Sequence, residues 1–337
     1  MRFYAWLLAP VLLFADIGYV TNYGSNTVSV FDTDTNAVTT TITVGEAPNG
    51  IVLVNGYAYV ANSGSNTVSV IDTSINTVTN TIVVDTGPYA FAQSGTDLYV
   101  ANLFGDMDMD GSVYVIDTLS NTVTASIFDA SFNGPIGIGI LGTQAYVANF
   151  GAGSTGMGNT ISVIDTMSNT VVDVITLASP SIGPIAVGFY GTDAYVVDNF
   201  PAGNVVVIDT MSNTISATIS SMDFNYPYYI EVDGSTGYVT NNGVNTMSVI
   251  DLSMNSVIDT VPISSNMGSG PQGMAITGST AYIANTSVSS VSVVDLMGYT
   301  YMSLSDPEST LVQPAYIVLF SGGEPSSRAF GRPANRR

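Results

Sequence analysis

Short apolar runs, each bounded by turn residues, follow one another along almost the whole chain. A typical stretch is YVANSGSNTVSVIDTSINTVTNTIVV, which begins at Tyr59. Its runs are about five or six residues long, which is a common strand length. They are rich in Val, Ile, Thr and Tyr and end at Asn, Asp, Gly or Pro, which are strand and turn signals. No helical period of three to four residues survives in these runs. The pattern therefore predicts an all-β protein.

The same stretch recurs as a repeat. Its Tyr-Val or Tyr-Ile dipeptide begins at Tyr19, Tyr59, Tyr99, Tyr146, Tyr195, Tyr238 and Tyr282, at spacings of 40, 40, 47, 49, 43 and 44 residues. Each unit contains a YVxN segment, an NTVSVID segment, an NTVxxTIxV segment, and an apolar run entered through Pro or Gly. Four strands with short turns use about 40 residues. Each unit therefore predicts one four-stranded sheet.

Seven such units predict a seven-bladed β-propeller built from four-stranded antiparallel blades. Segments such as TVSVID carry small or apolar groups on both faces, as expected where sheets pack on both sides. A closed ring leaves only short, protected sheet edges. The alternative is a β-helix, but its coils are shorter and need no Pro/Gly hinge before every fourth strand.

The repeated words resemble those of the YVTN-repeat β-propeller family of secreted and surface-layer proteins. YVTN occupies residues 19–22, NTVSVID occupies 66–72, and NTV occupies 76–78. The resemblance extends from residue 19 to about residue 320. It implies the seven-bladed fold and implies little about activity, because the signature residues are mostly structural.

Two polar positions and one tyrosine position recur, and we predict a scaffold role for all three. A short carboxylate that ends a strand accepts hydrogen bonds from turn amides. This position holds Asp32, Asp72, Asp117, Asp165, Asp209, Asp251 and Asp295. The YVxN segment closes with Asn22, Asn62, Asn102, Asn149, Asp198, Asn241 and Asn285. The recurrent tyrosine is predicted to pack between blades.

Eight apolar runs compete for the innermost strands of seven blades. They begin at Pro10, Pro48, Pro88, Pro135, Pro184, Pro227, Pro271 and Pro314. The run from Pro314, QPAYIVLFSGG, keeps the length and the glycine ending of the repeat, whereas PVLLFADIG is two residues short. We therefore predict that the C-terminal strand closes the ring.

The two ends of the chain differ from the repeats. Residues 1–15 resemble a secretory signal, with Arg2, an apolar run too short to span a membrane, and Ala15 at a cleavage position. We expect a signal peptide at 1–15, the propeller at 16–322, and a disordered, arginine-containing tail at 323–337. These expectations place the protein outside the cytoplasm, as a secreted, periplasmic or cell-surface protein.

The charge distribution excludes some partners. The chain has 26 carboxylates, and its five cationic side chains are Arg2, Arg328, Arg332, Arg336 and Arg337. The body can therefore form no internal salt bridge between side chains. Nucleic acid and anionic membranes are not expected partners, because phosphate binding depends on lysine and arginine.

The catalytic inventory is small. The chain has no histidine, cysteine or lysine, which excludes a Ser-His-Asp triad, a thiol nucleophile and histidine- or thiolate-bound zinc. A carboxylate pair that hydrolyses a neutral glycan-like substrate is still possible. However, the four glutamates, Glu46, Glu231, Glu308 and Glu324, are not found in a paired motif.

The motif DMDMDG resembles the first half of a calcium-binding loop. Asp106, Asp108 and Asp110 alternate and precede Gly111, which permits a sharp turn. The twelfth-position glutamate of such loops is missing. Calcium is therefore one interpretation, and a solvated acidic loop is the other; no other cofactor is predicted.

The repeats depart from one another mainly in two kinds of loop. NLFGDMDMDGS and NFGAGSTGMGN follow the YVxN strands of the third and fourth units, and the connections before several innermost strands are also longer. In a propeller these two kinds of loop share one face. We expect a protein or glycan partner to bind this face through Phe104, Phe132, Phe150, Phe200, Tyr226 and Tyr228. Neutral drift in tolerant loops is the alternative.

These observations favour a non-catalytic interaction or adhesion scaffold that uses its loop-rich face. Two alternatives stay open. One is a carboxylate-based hydrolase that acts on a neutral glycan-like substrate, and the other is a structural subunit that forms arrays.

Overall fold

The computed structural model describes residues 16–104, 110–151, 158–178, 183–265, 268–321 and 324–325. These residues form seven antiparallel sheets of four strands, and a short fifth strand extends the first sheet. Within these ranges the single helical element is one 3-10 turn, Thr286–Val288. The predicted all-β, seven-bladed propeller is confirmed.

The first four blades use the strands in chain order. Blade 1 begins with β1 (Ile17–Asn22), β2 (Thr27–Asp32) and β3 (Ala37–Thr43). Blade 2 contains β4 (Pro48–Val54), β5 (Tyr57–Asn62), β6 (Thr67–Asp72) and β7 (Thr77–Val83). Blade 3 contains β8 (Pro88–Ser94), β9 (Asp97–Asn102), β10 (Ser112–Asp117) and β11 (Thr122–Ile127). Blade 4 contains β12 (Pro135–Leu141), β13 (Gln144–Asn149), β14 (Thr160–Asp165) and β15 (Thr170–Thr176).

The remaining blades repeat this order. Blade 5 contains β16 (Pro184–Tyr190), β17 (Asp193–Asp198), β18 (Asn204–Asp209) and β19 (Thr214–Ser220). Blade 6 contains β20 (Pro227–Asp233), β21 (Thr236–Asn241), β22 (Thr246–Asp251) and β23 (Ser256–Pro262). Blade 7 contains β24 (Pro271–Thr277), β25 (Thr280–Asn285), β26 (Ser290–Asp295) and β27 (Thr300–Ser303). The described part of the chain ends with β28 (Pro314–Ser321) and β29 (Glu324–Pro325).

The C-terminal strand β28 closes the ring. It pairs antiparallel with β1, with Tyr19 opposite Val318 and Ile17 opposite Phe320. It therefore takes the innermost place of blade 1, between the innermost strands β24 and β4, and contacts both. The predicted closure by the run from Pro314 is confirmed. Residues 10–15 of the competing run lie outside the described residues, as do residues 326–337.

The core lies between the blades. In a central strand such as β6, the residues Val68–Ile71 are all buried, whereas the outer strand β7 exposes most of its residues. Each blade is therefore covered on both sides by its neighbours and meets solvent along its outer strand. No helix among the described residues is long and apolar enough to cross a membrane.

The recurrent tyrosines join neighbouring blades. The Tyr59 hydroxyl donates to the Asn121 Oδ1 atom at 2.6 Å and to the Thr118 carbonyl at 3.2 Å, both in the next blade. Asn121 sits in a tight turn with a φ of 54°, a conformation that asparagine tolerates well. The same tyrosine–asparagine bond joins Tyr19 to Asn76, Tyr99 to Asn169, Tyr146 to Asn213, Tyr195 to Asn255, and Tyr282 to Asn36.

The recurrent Asp and Asn residues are structural, as predicted. The Asp117 carboxylate accepts hydrogen bonds from the backbone amides of Leu119 and Ser120, each at 3.2 Å. The Asn62 Nδ2 group donates to the Ser69 Oγ atom at 2.9 Å and so links two strands of one blade. The aspartate contact recurs in all seven blades, and the asparagine contact recurs in every blade except blade 5, where Asp198 takes the place of the asparagine. These contacts explain why the repeat keeps these residue types.

Candidate binding site

The two kinds of variable loop lie at one end of the ring, as predicted. The Ser63 amide donates to the Ala47 carbonyl at 3.0 Å, and the Leu103 amide donates to the Gly87 carbonyl at 2.9 Å. These bonds tie the loop after a second strand to the connection before an innermost strand, and every blade has an equivalent bond. We call this end the loop face. The opposite end, which carries the two hairpin turns of each blade, is the turn face.

A pocket of about 560 Å³ opens at the mouth of the central channel on the loop face. Blades 7, 1, 2 and 3 contribute its walls. Tyr23 and Phe104 supply aromatic surface, and Asn49, Gln272 and Gln313 supply amide groups. None of the described residues that line it carries a charge. We call this cavity the mouth pocket.

Four tyrosines from three non-adjacent blades meet in the channel beneath the mouth pocket. The hydroxyls of Tyr89 on β8 and Tyr228 on β20 form a hydrogen bond across the channel. The Tyr316 ring on β28 packs edge-on against Tyr89, with centroids 6.1 Å apart, and against Tyr229, with centroids 5.8 Å apart. We call Tyr89, Tyr228, Tyr229 and Tyr316 the tyrosine cluster.

The tyrosine cluster stays neutral over a wide pH range. Burial raises the pKa of Tyr228, Tyr229 and Tyr316 well above the ordinary value, and it also raises the pKa of Tyr89. A buried phenolate would lose hydration that nothing replaces. Tyr89, the member of the cluster that lines the mouth pocket, therefore presents a neutral hydroxyl group and an aromatic ring there.

Several contacts fix the pocket walls before a ligand arrives. The Asn49 Nδ2 group donates to the Ser63 Oγ atom at 2.8 Å and to the Ala47 carbonyl at 3.4 Å, which fixes the amide and turns its Oδ1 acceptor to other partners. Gly87 has a φ of 68°, and a Cβ atom there would lie 3.0 Å from the Phe104 ring. Glycine at this position lets the Phe104 ring lie close to the backbone at the pocket wall.

A buried carboxylate also lies on an innermost strand. Glu231 on β20 is buried, and the Tyr229 hydroxyl donates to its Oε2 atom at 3.3 Å. Glu46 and Glu308 lie in connections outside the strands, and nothing is described of the Glu324 side chain. Among the three glutamates whose side chains are described, Glu231 is the one that lies on an innermost strand.

The six predicted face residues separate into groups. Phe104 lines the mouth pocket and is 48% exposed. The Tyr226 amide donates to the Phe200 carbonyl at 3.0 Å, which brings these two residues together on the loop face. Phe150 is half-buried there, and Tyr228 belongs to the tyrosine cluster.

Phe132 does not belong to an exposed aromatic face, which corrects the prediction. Its side chain is 3% exposed and packs in the core beside Ile138 and Val147. The residue falls in a lengthened loop, but its phenyl group is part of the hydrophobic core.

The predicted calcium motif is described only at its end. Asp106 and Asp108 lie outside the described residues. The Asp110 carbonyl accepts a hydrogen bond from the Gly134 amide at 2.6 Å, and Gly111 has a φ of 124°. Within the part of the chain that the structure describes, no cluster of three acidic residues that would hold a metal ion is found.

The lining of the mouth pocket includes four residues that were not predicted from the sequence, namely Tyr23, Asn49, Tyr89 and Gln272. Three of them, Asn49, Tyr89 and Gln272, immediately follow the proline that begins an innermost strand. This position varies from unit to unit while its neighbours repeat. That variation was the available signal.

A larger, shallow cleft of about 720 Å³ lies elsewhere, between blades 5 and 6. It is lined by residues of the outer strands β19 and β23 and by the turns beside them. Only two blades contribute to it, and most of its lining residues occupy repeated outer-strand positions. We therefore consider the mouth pocket the better candidate for a specific site.

Comparison with known proteins identifies the fold but indicates no activity. No protein-family model matches the chain, and no curated protein matches its sequence. A functionally unknown protein from Desulfotomaculum acetoxidans DSM 771 is similar in structure, with a TM-score of 0.74, 16% identity, and coverage of 91% of this chain and 99% of that chain.

Two further solved structures are similar. Hydrazine synthase from Kuenenia stuttgartiensis has a TM-score of 0.65 and 24% identity, over 74% of this chain and 76% of that chain. AztD from Citrobacter koseri has a TM-score of 0.63 and 13% identity, over 92% of this chain and 99% of that chain. At these identities the likeness shows the propeller fold alone.

Proposed function

We propose that this propeller is a non-catalytic binding module that engages a protein or glycan partner through its loop face. One observation carries the proposal. A ring of near-identical units has a pocket at its channel mouth that is lined by side chains differing from unit to unit. A repeated scaffold needs no such variation for stability, and binding groups concentrate where loops vary on a rigid frame.

The mouth pocket favours binding over catalysis. Its lining provides amide, hydroxyl and aromatic groups, and burial raises the pKa of the Tyr89 hydroxyl and so keeps it neutral. The hydrolase alternative depends on Glu231 and on a second carboxylate beside it. If it holds, Glu231→Gln abolishes glycan hydrolysis and leaves glycan binding intact.

From the likeness to the YVTN-repeat family we also propose where the protein acts. The propeller fold and the words at residues 19–22 and 66–72 support membership of that family. We propose that the protein acts outside the cytoplasm and that residues 1–15 are a cleaved signal. The intact mass of protein from its native source tests this, because retention of residues 1–15 would contradict it.

The DMDMDG motif supports a proposed calcium site. Calcium is expected to raise the Tm of the wild-type protein and to leave the Tm of an Asp106→Asn/Asp108→Asn variant unchanged. Magnesium and sodium chloride at matched ionic strength are the controls, because any cation screens repulsion among the many carboxylates. An equal rise in wild type and variant would contradict a specific site.

A capture experiment tests the binding face. Purified propeller is immobilised and challenged with surface extract from the native source. Tyr23→Ser/Phe104→Ser is expected to weaken capture at least about tenfold, equivalent to about 1.4 kcal/mol. The control is Leu119→Ser/Met211→Ser, which removes exposed apolar side chains from the turn face. Loss of capture in the control alone would contradict the proposal.

One observation favours the array-forming alternative as a second candidate. Six of the seven turns between third and outer strands expose a large apolar side chain, by 62% to 83%: Ile75, Leu119, Met167, Met211, Met254 and Met297. Singly exposed apolar side chains are common on protein surfaces, but a set that repeats from blade to blade is what a symmetric contact in an array would use. Sedimentation across a range of concentrations separates the candidates, because array formation requires assembly that Leu119→Ser/Met211→Ser abolishes.

A further inference from the structure

We propose that the mouth pocket binds a neutral saccharide unit of the partner. This inference rests on the proposed function, because it names the chemistry that the loop face recognises. It places the site on blades 7, 1, 2 and 3, whereas the longest insertions belong to blades 3 and 4.

The hydrogen-bonding groups of the mouth pocket match those of a sugar. Each sugar hydroxyl both donates and accepts, and so does each side-chain amide. Gln272 and Gln313 supply amides from blade 7 and from the connection into blade 1. Asn49 supplies its Oδ1 acceptor, because its Nδ2 group already donates to Ser63 and to a backbone carbonyl. The Ser63 and Thr286 hydroxyls already donate to backbone carbonyls and add their oxygens as acceptors. These uncharged groups complement the hydroxyl groups of a sugar.

The aromatic groups match the apolar faces of a pyranose ring. Tyr23 and Phe104 are 44% and 48% exposed at the pocket wall, and the Tyr89 ring lies at the floor. The C–H groups on one face of a sugar ring make favourable contacts with an aromatic face. The hydrogen bond to Tyr228 holds the Tyr89 hydroxyl and so fixes its ring.

The charge distribution excludes ionic ligands. A phosphate or carboxylate in this pocket would meet no cation, because the described part of the chain contains no lysine, arginine or histidine. Burying an unpaired charge is costly, and the negative field of the carboxylates adds repulsion. A cationic ligand would find no carboxylate among the described residues that line the pocket. A neutral ligand remains.

The size and shape of the pocket favour a compact sugar unit over a peptide. Its volume of about 560 Å³ falls within the range of about 300–1,000 Å³ that is usual for small-molecule sites. The space exists because small residues, Ala47, Gly64, Gly87 and Ala315, stand between the larger ones. The tyrosine cluster lies across the channel below, so an extended peptide has no path through the ring.

Binding to an array of oligosaccharides tests this proposal. The array contains neutral glycans of hexoses and N-acetylhexosamines, each beside a counterpart capped by a uronic or sialic acid. We expect wild-type protein to bind at least one neutral glycan and to bind its acidic counterpart at least about tenfold more weakly. Calorimetry with the soluble form of that glycan gives the dissociation constants.

Matched variants locate the site. Gln272→Ala/Gln313→Ala removes two amides from the pocket and is expected to weaken glycan binding at least about tenfold. The control is Gln93→Ala, which removes an amide at the other end of an innermost strand, where it donates to the Gly95 carbonyl at 2.9 Å. Circular dichroism and thermal unfolding verify that both variants fold.

The outcomes distinguish this inference from the proposed function. If no neutral glycan binds, but Tyr23→Ser/Phe104→Ser still abolishes partner capture, the loop face is a binding face and the saccharide proposal is wrong. Preference for an acidic counterpart, or equal effects of the two glutamine variants, also overturns the saccharide proposal. If that loop-face variant leaves capture unchanged, the proposed function itself fails.

Discussion

Single hydrogen bonds repeated around the ring explain why the repeat keeps its residue types. Tyr59 bonds to Asn121 of the next blade, and five other tyrosines make the same contact. Tyr238 is the exception, because Tyr299 takes the place of the asparagine in the turn that Tyr238 faces. Tyr238 is therefore an internal control for the contribution of this contact to stability.

Removing one tyrosine hydroxyl measures how much this hydrogen bond contributes to the free energy of unfolding. Tyr59→Phe is expected to lower the free energy of unfolding by about 1 kcal/mol, because it removes a buried hydrogen bond. Tyr238→Phe is expected to cost less than half as much. Urea unfolding of the two variants checks this difference. An equal loss of unfolding free energy in both would show that the aromatic ring of the tyrosine, not its hydroxyl, joins the blades.

Alkaline pH is expected to unfold the propeller cooperatively. Burial raises the pKa of Tyr19, Tyr59, Tyr99, Tyr146 and Tyr282 from 10.0 to about 12. The unfolded chain therefore loses these protons first. The stability that these protonated tyrosines contribute is fully present below pH 10 and is lost as the pH rises towards 12.

Tyrosinate absorbance and circular dichroism, recorded together during the titration, check this expectation. We expect the tyrosinate signal to rise together with the loss of strand signal. Ordinary ionisation of these tyrosines near pH 10, with the strand signal intact, would contradict the account.

At the scale of strands, the sequence predicted the repeated elements and missed the departures from them. NTVSVID and YVxN runs predict buried central strands because both of their faces are apolar or small. The residue after the inner-strand proline escaped prediction in blades 2, 3 and 7, although Tyr228, at the same position in blade 6, was predicted. Gln272 of blade 7 and Tyr89 of blade 3 come to line one pocket only after seven blades close in a fixed order, and local pattern does not contain that order.

The predicted aromatic face shows the same limit. Phe104 and Tyr226 are exposed on the loop face, whereas Phe132 is buried. All three fall in loops that depart from the repeat. Whether a loop phenyl group packs inward depends on the space beneath it, which the neighbouring blade sets.

Strand β28 is expected to be essential for folding. A chain that ends at residue 312 lacks the innermost strand of blade 1 and leaves the β1 edge and the adjacent core uncovered. We expect it to lose cooperative thermal unfolding. A chain that ends at residue 325 keeps β28 and is the control, with a Tm near that of the full chain. Cooperative unfolding of the shorter chain would contradict closure by β28.

The whole molecule combines a regular frame with two different ends. The turn face repeats its aspartates and its exposed apolar side chains, and the loop face carries the variation and the mouth pocket. The frame is held by apolar packing and uncharged hydrogen bonds, because the described residues contain no cation to pair with their carboxylates. Specific recognition is therefore expected at the loop face.

Hydrogen–deuterium exchange with and without the captured partner tests whether the partner binds at the loop face. We expect the partner to slow exchange at residues 46–49, 86–89 and 312–315, which surround the mouth pocket. The turns at 118–121 and 210–213 should exchange at unchanged rates. Protection confined to those turns, with the pocket segments unaffected, would show that the protein binds through its other end.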